Sequence, residues 1–205
     1  MKIFKTFVLG ILAGASVAIG GCVFLSLDNK IAGSALFTIG LFMVCVFKFN
    51  LFTGKVCYVF DNDMQYALNL IPIWLGNLAG ALIVGGMLKC TRLSEALTEK
   101  AAAICSVKLS DTALSVFILA MFCNMMIYVG VEAFNRCEHE AGKYIGLFLC
   151  IMVFILSGFE HCVANMFYFT MGSAWSAHAV IWLLIMTAGN AAGGVAIPLL
   201  RKAQK

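Results

Sequence analysis

Long apolar runs closed by short polar stretches repeat along the chain. The first starts at Met1-Lys2-Ile3-Phe4-Lys5, reaches Leu27 and ends at the Asp28-Asn29-Lys30 turn. The second covers residues 31–47 and is interrupted by Lys48-Phe49-Asn50. It resumes as Leu51-Phe52-Thr53-Gly54-Lys55 and fades by Phe60, before Asp61-Asn62-Asp63. The third covers residues 66–88 and contains Gly76-Asn77-Leu78-Ala79-Gly80. A polar connection over residues 89–111 follows, and its 93–103 portion has the spacing of a short amphipathic helix. The fourth run is 112–134, and a charged turn is expected over 135–143. The fifth opens at Tyr144, breaks at Glu160-His161 and leads through Met166-Phe167-Tyr168-Phe169 to Ser176. The sixth, 177–200, carries Gly189-Asn190-Ala191-Ala192-Gly193-Gly194. At roughly 20 residues per crossing, this pattern predicts six transmembrane helices.

Composition agrees with lipid as the solvent. Of 205 residues, 62% are hydrophobic and 12% charged, against about 25% charged in an average soluble domain. The first run is too long for a signal-peptide core and lacks a cleavage site followed by a polar mature domain, so it reads as span one. The expected organisation is one transmembrane domain over 1–205. The formal charge of +4 is too small and dispersed to argue for nucleic acid. Nine cysteines, mostly inside apolar runs such as those of Cys22, Cys45, Cys123 and Cys150, read as small buried hydrophobes. No spacing points to a bound metal. With six spans both ends share one side, with Lys2, Lys5, Arg136, Lys143, Arg201, Lys202 and Lys205. The other side has Lys30, Lys89, Arg92, Lys100 and Lys108. The bias favours cytoplasmic termini.

A repeat runs through this layout. Spans two and five are each broken at a polar stretch, and spans three and six each carry Gly-Asn followed by small residues. Three spans separate the copies, so the second is inverted, with halves of about 1–100 and 101–205. Interrupted helices at matching positions of two halves point to a midplane solute site. Glu160 and His161 stand in the middle of an apolar run, where ionisable groups are costly and usually face a cavity. His161 either offers a proton or hydrogen bond to a passing anion or is a buried imidazole satisfied by backbone. Glu160 reads as support for the broken loop, accepting backbone amides. Lys108, placed in the loop before span four, either draws anions to a pore mouth or is a solvated lysine. Lys48, which precedes the break in span two, either snorkels, pairs with a carboxylate or lies beside the pore. His139 and His178 fall at loop or span-end positions and read as surface histidines. On depth alone, Phe37, Leu41 and Phe154 fall on the outer half, and Leu51, Phe52 and Ile127 nearer the cytoplasm. Either group serves as a hydrophobic constriction or as plain packing.

Gly158-Phe159-Glu160-His161 with Ala164-Asn165-Met166, and Asn50-Leu51-Phe52-Thr53-Gly54, resemble the formate/nitrite transporter family. Trp74-Leu75-Gly76-Asn77-Leu78 and Cys123-Asn124 also match its pattern, so the resemblance covers essentially all the spans. It implies an all-α, aquaporin-like fold of three plus three helices with helices two and five broken, assembled as a homopentamer in the cell membrane, each protomer with its own pore. It also implies that His161 is the central pore histidine, with Thr53 beside it and Asn124 and Asn190 around it. Lys108 becomes a vestibule lysine. Phe37, Leu41 and Phe154 form an outer constriction, and Leu51, Phe52 and Ile127 a cytoplasmic one. Glu160 and Asn165 stand as structural support. The implied substrate is a small monovalent anion, formate first, with nitrite and hydrosulfide as alternatives, and no cofactor. Asn50 stands where many members have a carboxylate, and Lys48 is outside the pattern. The family's N-terminal amphipathic segment and C-terminal tail, linked to gating and pentamer packing, have no counterpart in the 205 residues. A neutral-solute aquaporin-type channel would carry Asn-Pro-Ala repeats and a pore arginine, and a membrane enzyme using Glu160 and His161 as acid and base would need a nucleophile or cofactor site. The sequence has neither set.

Overall fold

Polar side chains between the apolar runs open several of the helices. The computed structural model describes residues 2–204, the side chain of Lys2 excepted. Met1 and Lys205, the latter one of the basic residues counted for orientation, lie outside the described residues. Helix α1 spans Lys2–Ser26. Asn29 then accepts from the backbone N–H groups of Ile31 and Ala32, both at 3.0 Å, and starts α2 (Lys30–Phe37). Helix α3 (Ile39–Phe47) follows, and α4 (Phe52–Val56) is a single short segment. After a 3-10 turn at Val59–Asp61, Asp63 caps α5 (Met64–Lys89). Helix α6 is Ser94–Ser110, and Thr112 caps α7 (Ala113–Arg136). Helix α8 is Glu140–Leu156 and α9 is Cys162–Met171. Ser176 caps α10 (Ala177–Lys202). Oxygen-bearing caps of this kind satisfy amides that the first helical turn leaves free. Five stretches are long and apolar enough to cross a membrane: Ile3–Ser26, Lys30–Phe47, Met64–Lys89, Ala113–Arg136 and Ala177–Lys202.

Three expectations need correction. The amphipathic helix of the polar connection does not stop at residue 103 but continues to Ser110, so Lys108 is helical rather than in a loop. The charged turn over 135–143 shrinks to three residues, because α7 keeps Arg136 and α8 already begins at Glu140. The run over 31–47 is not one unbroken helix, because Thr38 separates α2 from α3. Thr38 is fully buried, and its hydroxyl has no hydrogen-bond partner.

The two halves repeat each other to the level of single hydrogen bonds. Where α3 ends, Lys48 takes a left-handed conformation (φ 55°), and Phe49 N–H donates to Val44 O at 3.0 Å. Where α8 ends, Gly158 is left-handed (φ 72°), and Phe159 N–H donates to Phe154 O at 3.0 Å. Asn50 N–H then reaches Leu9 O of α1, as Glu160 N–H reaches Leu119 O of α7. Asn77 of α5 accepts from Phe52 N–H at 2.8 Å and donates to Gly10 O and Asn50 O. Asn190 of α10 accepts from Cys162 N–H at 2.8 Å and donates to Ala120 O and Glu160 O. One offset along the chain relates all these pairs from Leu9 and Leu119 to Phe52 and Cys162, and three more residues bring Asn77 onto Asn190. Each interrupted segment thus has its freed backbone groups bound by one buried asparagine, as a non-helical stretch inside an apolar body requires.

Close helix packing permits these bonds. A Cβ on Gly80 would lie 2.1 Å from Ile11 O, and one on Gly193 would lie 2.0 Å from Met121 O. Helix α5 therefore lies directly on α1, and α10 on α7, backbone to backbone. At one end of the molecule Lys202 pairs with Asp61, and Arg201 approaches Glu132 at 3.6 Å. At the other end Lys100 binds Asp28 at 2.7 Å. This hydrogen bond and the ammonium charge hold the exposed Asp28 carboxyl below the usual range.

Candidate functional site

The break before α9 places His161 at that helix's N-cap. Its Nδ1 accepts from Ala164 N–H at 3.1 Å, and its Nε2 lies 3.0 Å from Thr53 Oγ1. An Nδ1 that accepts an amide carries no proton, so the neutral ring holds its hydrogen on Nε2, facing Thr53. Thr53, in α4, and His161 come from opposite halves of the repeat and are both buried. The Phe154 ring stacks near the imidazole, with centroids 5.8 Å apart, and Phe37 meets Phe154 edge-on at 6.0 Å.

A cavity of about 580 Å³ opens beside this group. Phe37, Phe154, Glu160 and His161 stand on its wall, and Asp28, Lys30 and Lys100 also line it. Lys108 reaches it because α6 buries Leu97, Ala101 and Cys105 at helical spacing, and Lys108 continues that stripe. Its ammonium is 2.5 Å from Glu160 Oε2, with side-chain exposures of 15% and 6%. The same Oε2 accepts from Asn165 Nδ2 at 2.7 Å. Lys108 is therefore not a solvated loop lysine but half of a partly buried ion pair on the cavity wall. The Glu160 carboxylate, expected to accept backbone amides, accepts from these two side chains. Only its backbone joins the break to Leu119 and Asn190.

The remaining expected residues divide. Asn190 spends its whole amide on backbone, and Asn124 donates to Asn190 O at 2.7 Å while its own Oδ1 is buried without a partner. Leu41, Leu51, Phe52 and Ile127 are buried but do not line this cavity. Leu51 stands at the N-cap of α4, the segment that presents Thr53, and Phe52 begins it. Lys48 is exposed and ends α3. His139 precedes α8 without capping it through its side chain. His178 is exposed and stacks on Trp182 at 3.9 Å.

Sequence reasoning missed two further features. Asn77 was visible in a repeated Gly-Asn and in a family-like stretch but without a role, and the repeat was the signal for its clamp role. Tyr58, just past α4, donates to Glu132 Oε1 at 2.8 Å, and Arg136 Nε lies 2.7 Å from Glu132 Oε2. This fastens the end of the broken segment to α7, and an isolated glutamate near a helix end gave no hint of it.

The comparisons with known proteins bear on this arrangement. The family model described as formate/nitrite transporter matches residues 1–202. The chain belongs to the formate/nitrite transporter family. It is 28% identical over 189 residues to the formate channel FocA of Haemophilus influenzae, covering 82% of this chain and 66% of that protein. It is likewise 28% identical over 211 residues to the nitrite transporter NirC of Escherichia coli, covering 89% and 76%. A solved structure described as an FNT family ion channel superposes with a TM-score of 0.85 at 25% identity, covering 98% of this chain and 90% of that one. A pentameric formate channel with formate bound superposes at 0.84 and 24% identity, covering 99% and 97%, and shares the fold. Members of this family are transporters and channels rather than enzymes, and the chain is a multi-pass membrane protein.

Proposed function

We propose that the chain is a channel for small monovalent anions of weak acids, formate first, with nitrite and hydrosulfide as the alternative substrates. It crosses the cell membrane six times with both termini cytoplasmic, as one domain over 1–205. Its inverted halves each contribute one broken helix, and five copies assemble, each with its own pore. The observation that carries the reading is the imidazole of His161, buried at the foot of a cavity with Thr53 on one nitrogen and Phe154 beside the ring.

An anion leaving water for such an apolar passage pays heavily unless it gains a donor or a proton. Nε2–H is the donor here, once the anion takes the place of Thr53 Oγ1 as its acceptor. Giving that proton away outright would require Nδ1 to take one up and release Ala164 N–H, so hydrogen-bond donation is the role the cap favours. A proton that neutralises the anion comes from water in the cavity. Phe37, Leu41 and Phe154 narrow the passage on the outer side, and Leu51, Phe52 and Ile127 narrow it on the cytoplasmic side. Asn124 and Asn190 hold the segment between.

The test is proteoliposome flux of the three anions, followed by pH change and by bilayer conductance, in the wild type and in His161→Asn. Asparagine is a favoured N-cap, so α9 stays capped and the protein stays folded. The expected result is loss of most electroneutral formate flux, with any residual passage appearing as current. Undiminished, electroneutral, pH-dependent flux in His161→Asn overturns the role of the imidazole. A wild type that carries none of the three overturns the channel reading itself.

A further inference from the structure

Helix α9 is buried on almost every side, yet one face of it borders the cavity. His161, Ala164, Asn165 and Tyr168 follow one another at helical spacing, and all four line the space of about 580 Å³. The polar groups beside Tyr168 are largely committed to protein. Both imidazole nitrogens of His161 have partners, Asn165 Nδ2 is held by Glu160, and Glu160 is held by Lys108. Tyr168 differs. Its side chain is 7% exposed, and its hydroxyl makes no hydrogen bond among the described residues. Nor is that hydroxyl one of the sealed, partnerless atoms, which include Thr38 Oγ1, Asn124 Oδ1 and Asn165 Oδ1. It therefore opens onto the cavity. A buried phenol ordinarily finds a partner, and here the partner must come from the cavity.

The ring is held in place. Gly21 of α1 leaves room for the neighbouring Phe167 ring, which a Cβ there would meet at 2.7 Å, and lies in ordinary contact range of Tyr168, 3.5 Å from its Cε1. Phe167 packs beside it with ring centroids 5.8 Å apart. The group offered is thus a fixed, neutral O–H donor on the same wall as a lysine whose charge Glu160 already balances. Lys100 is likewise balanced by Asp28, and Lys30, the remaining lining lysine, attracts every monovalent anion alike; discrimination among such anions therefore falls to the quality of the acceptor. Hydrogen bonds to ionised oxygen are the strong ones, and sulfur is a weak acceptor.

We propose that Tyr168 is a substrate-contacting, specificity-determining residue that makes the cavity favour oxyanions such as carboxylate or nitrite over hydrosulfide. The proposal deepens the channel reading above and rests on it. Tyr168→Phe removes the hydroxyl and keeps the ring against Gly21. Half-saturation concentrations for formate, nitrite and hydrosulfide are measured on one preparation of proteoliposomes, so that the ratios are free of protein amount. The hydroxyl is worth one charge-assisted hydrogen bond, so Tyr168→Phe raises the values for formate and nitrite by about tenfold. The value for hydrosulfide stays within about twofold. Equal shifts for all three anions, with or without a lower thermal midpoint in detergent, assign Tyr168 to packing and overturn the proposal. Unchanged values for all three overturn it as well. A wild type that carries hydrosulfide and neither oxyanion overturns this inference alone. A wild type that carries none of the three overturns the function on which it rests.

Discussion

Lys108 and Glu160 are held at 2.5 Å in a largely buried setting, so removing either one leaves an uncompensated charge. Breaking a buried pair from one side typically costs about 3–5 kcal/mol, whereas replacing both partners is often nearly neutral. Lys108→Met is therefore expected to lower the thermal midpoint in detergent sharply, and Lys108→Met with Glu160→Gln to recover most of the loss. A double variant no more stable than the single one would show that the pair is not what ties α6 to the break. Both residues were noticed in the sequence, but their pairing was not. They stand 52 positions apart, and only the length of α6 brings the lysine round to the same cavity. His161 and Thr53, 108 positions apart, were brought together by family resemblance and not by their residue types. Neither residue type specifies the other as a neighbour, and a helix register over such distances is invisible to local patterning.

At the scale of elements, polarity located the interruptions and backbone geometry explains them. Lys48-Phe49-Asn50 and Gly158-Phe159-Glu160 occupy equivalent positions, and both breaks begin with a left-handed residue. Glycine adopts that conformation freely, while an ordinary L-residue pays roughly 1–2 kcal/mol. Lys48 is exposed and has no ion-pair partner among the described residues, so nothing on its side chain repays that cost. Lys48→Gly is expected to stabilise the protein by about 1 kcal/mol, read as a raised thermal midpoint with unchanged flux. A drop in stability would mean that the lysine makes a contact in the membrane that the isolated chain does not contain. The same logic accounts for what was misjudged. Thr38 divides α2 from α3 without any glycine, proline or charge, so the apolar pattern read straight through it. Asn135, Arg136 and Glu140 look like a turn by polarity, yet the helices that flank them end in charged residues because those ends leave the apolar layer.

At the scale of the whole molecule, the repeated Gly-Asn of α5 and α10 made the two-part plan legible, and the clamps that Asn77 and Asn190 form give it a physical cause. His161, Thr53 and Phe154 join side chains from both halves of the chain in one buried group. The outward faces carry large apolar side chains, among them Leu68, Ile71 and Leu75 on α5 and Ile181 and Leu184 on α10. Lipid or sister protomers must cover them, and closed cyclic assembly is the usual way to cover such faces with copies of one chain. Native mass spectrometry in mild detergent is expected to give a pentamer, and a stable monomer or dimer with full flux would overturn that assembly. Mixed oligomers of wild type and His161→Asn test the pore arrangement separately. If each protomer conducts alone, formate flux falls in proportion to the mutant fraction, so an equal mixture keeps about half of the wild-type rate. A single shared pore that needs every imidazole would instead lose nearly all flux at the same mixture, because few assemblies would lack a mutant copy. A steep, non-linear fall would therefore count against a separate pore in each protomer even if the pentamer itself were found.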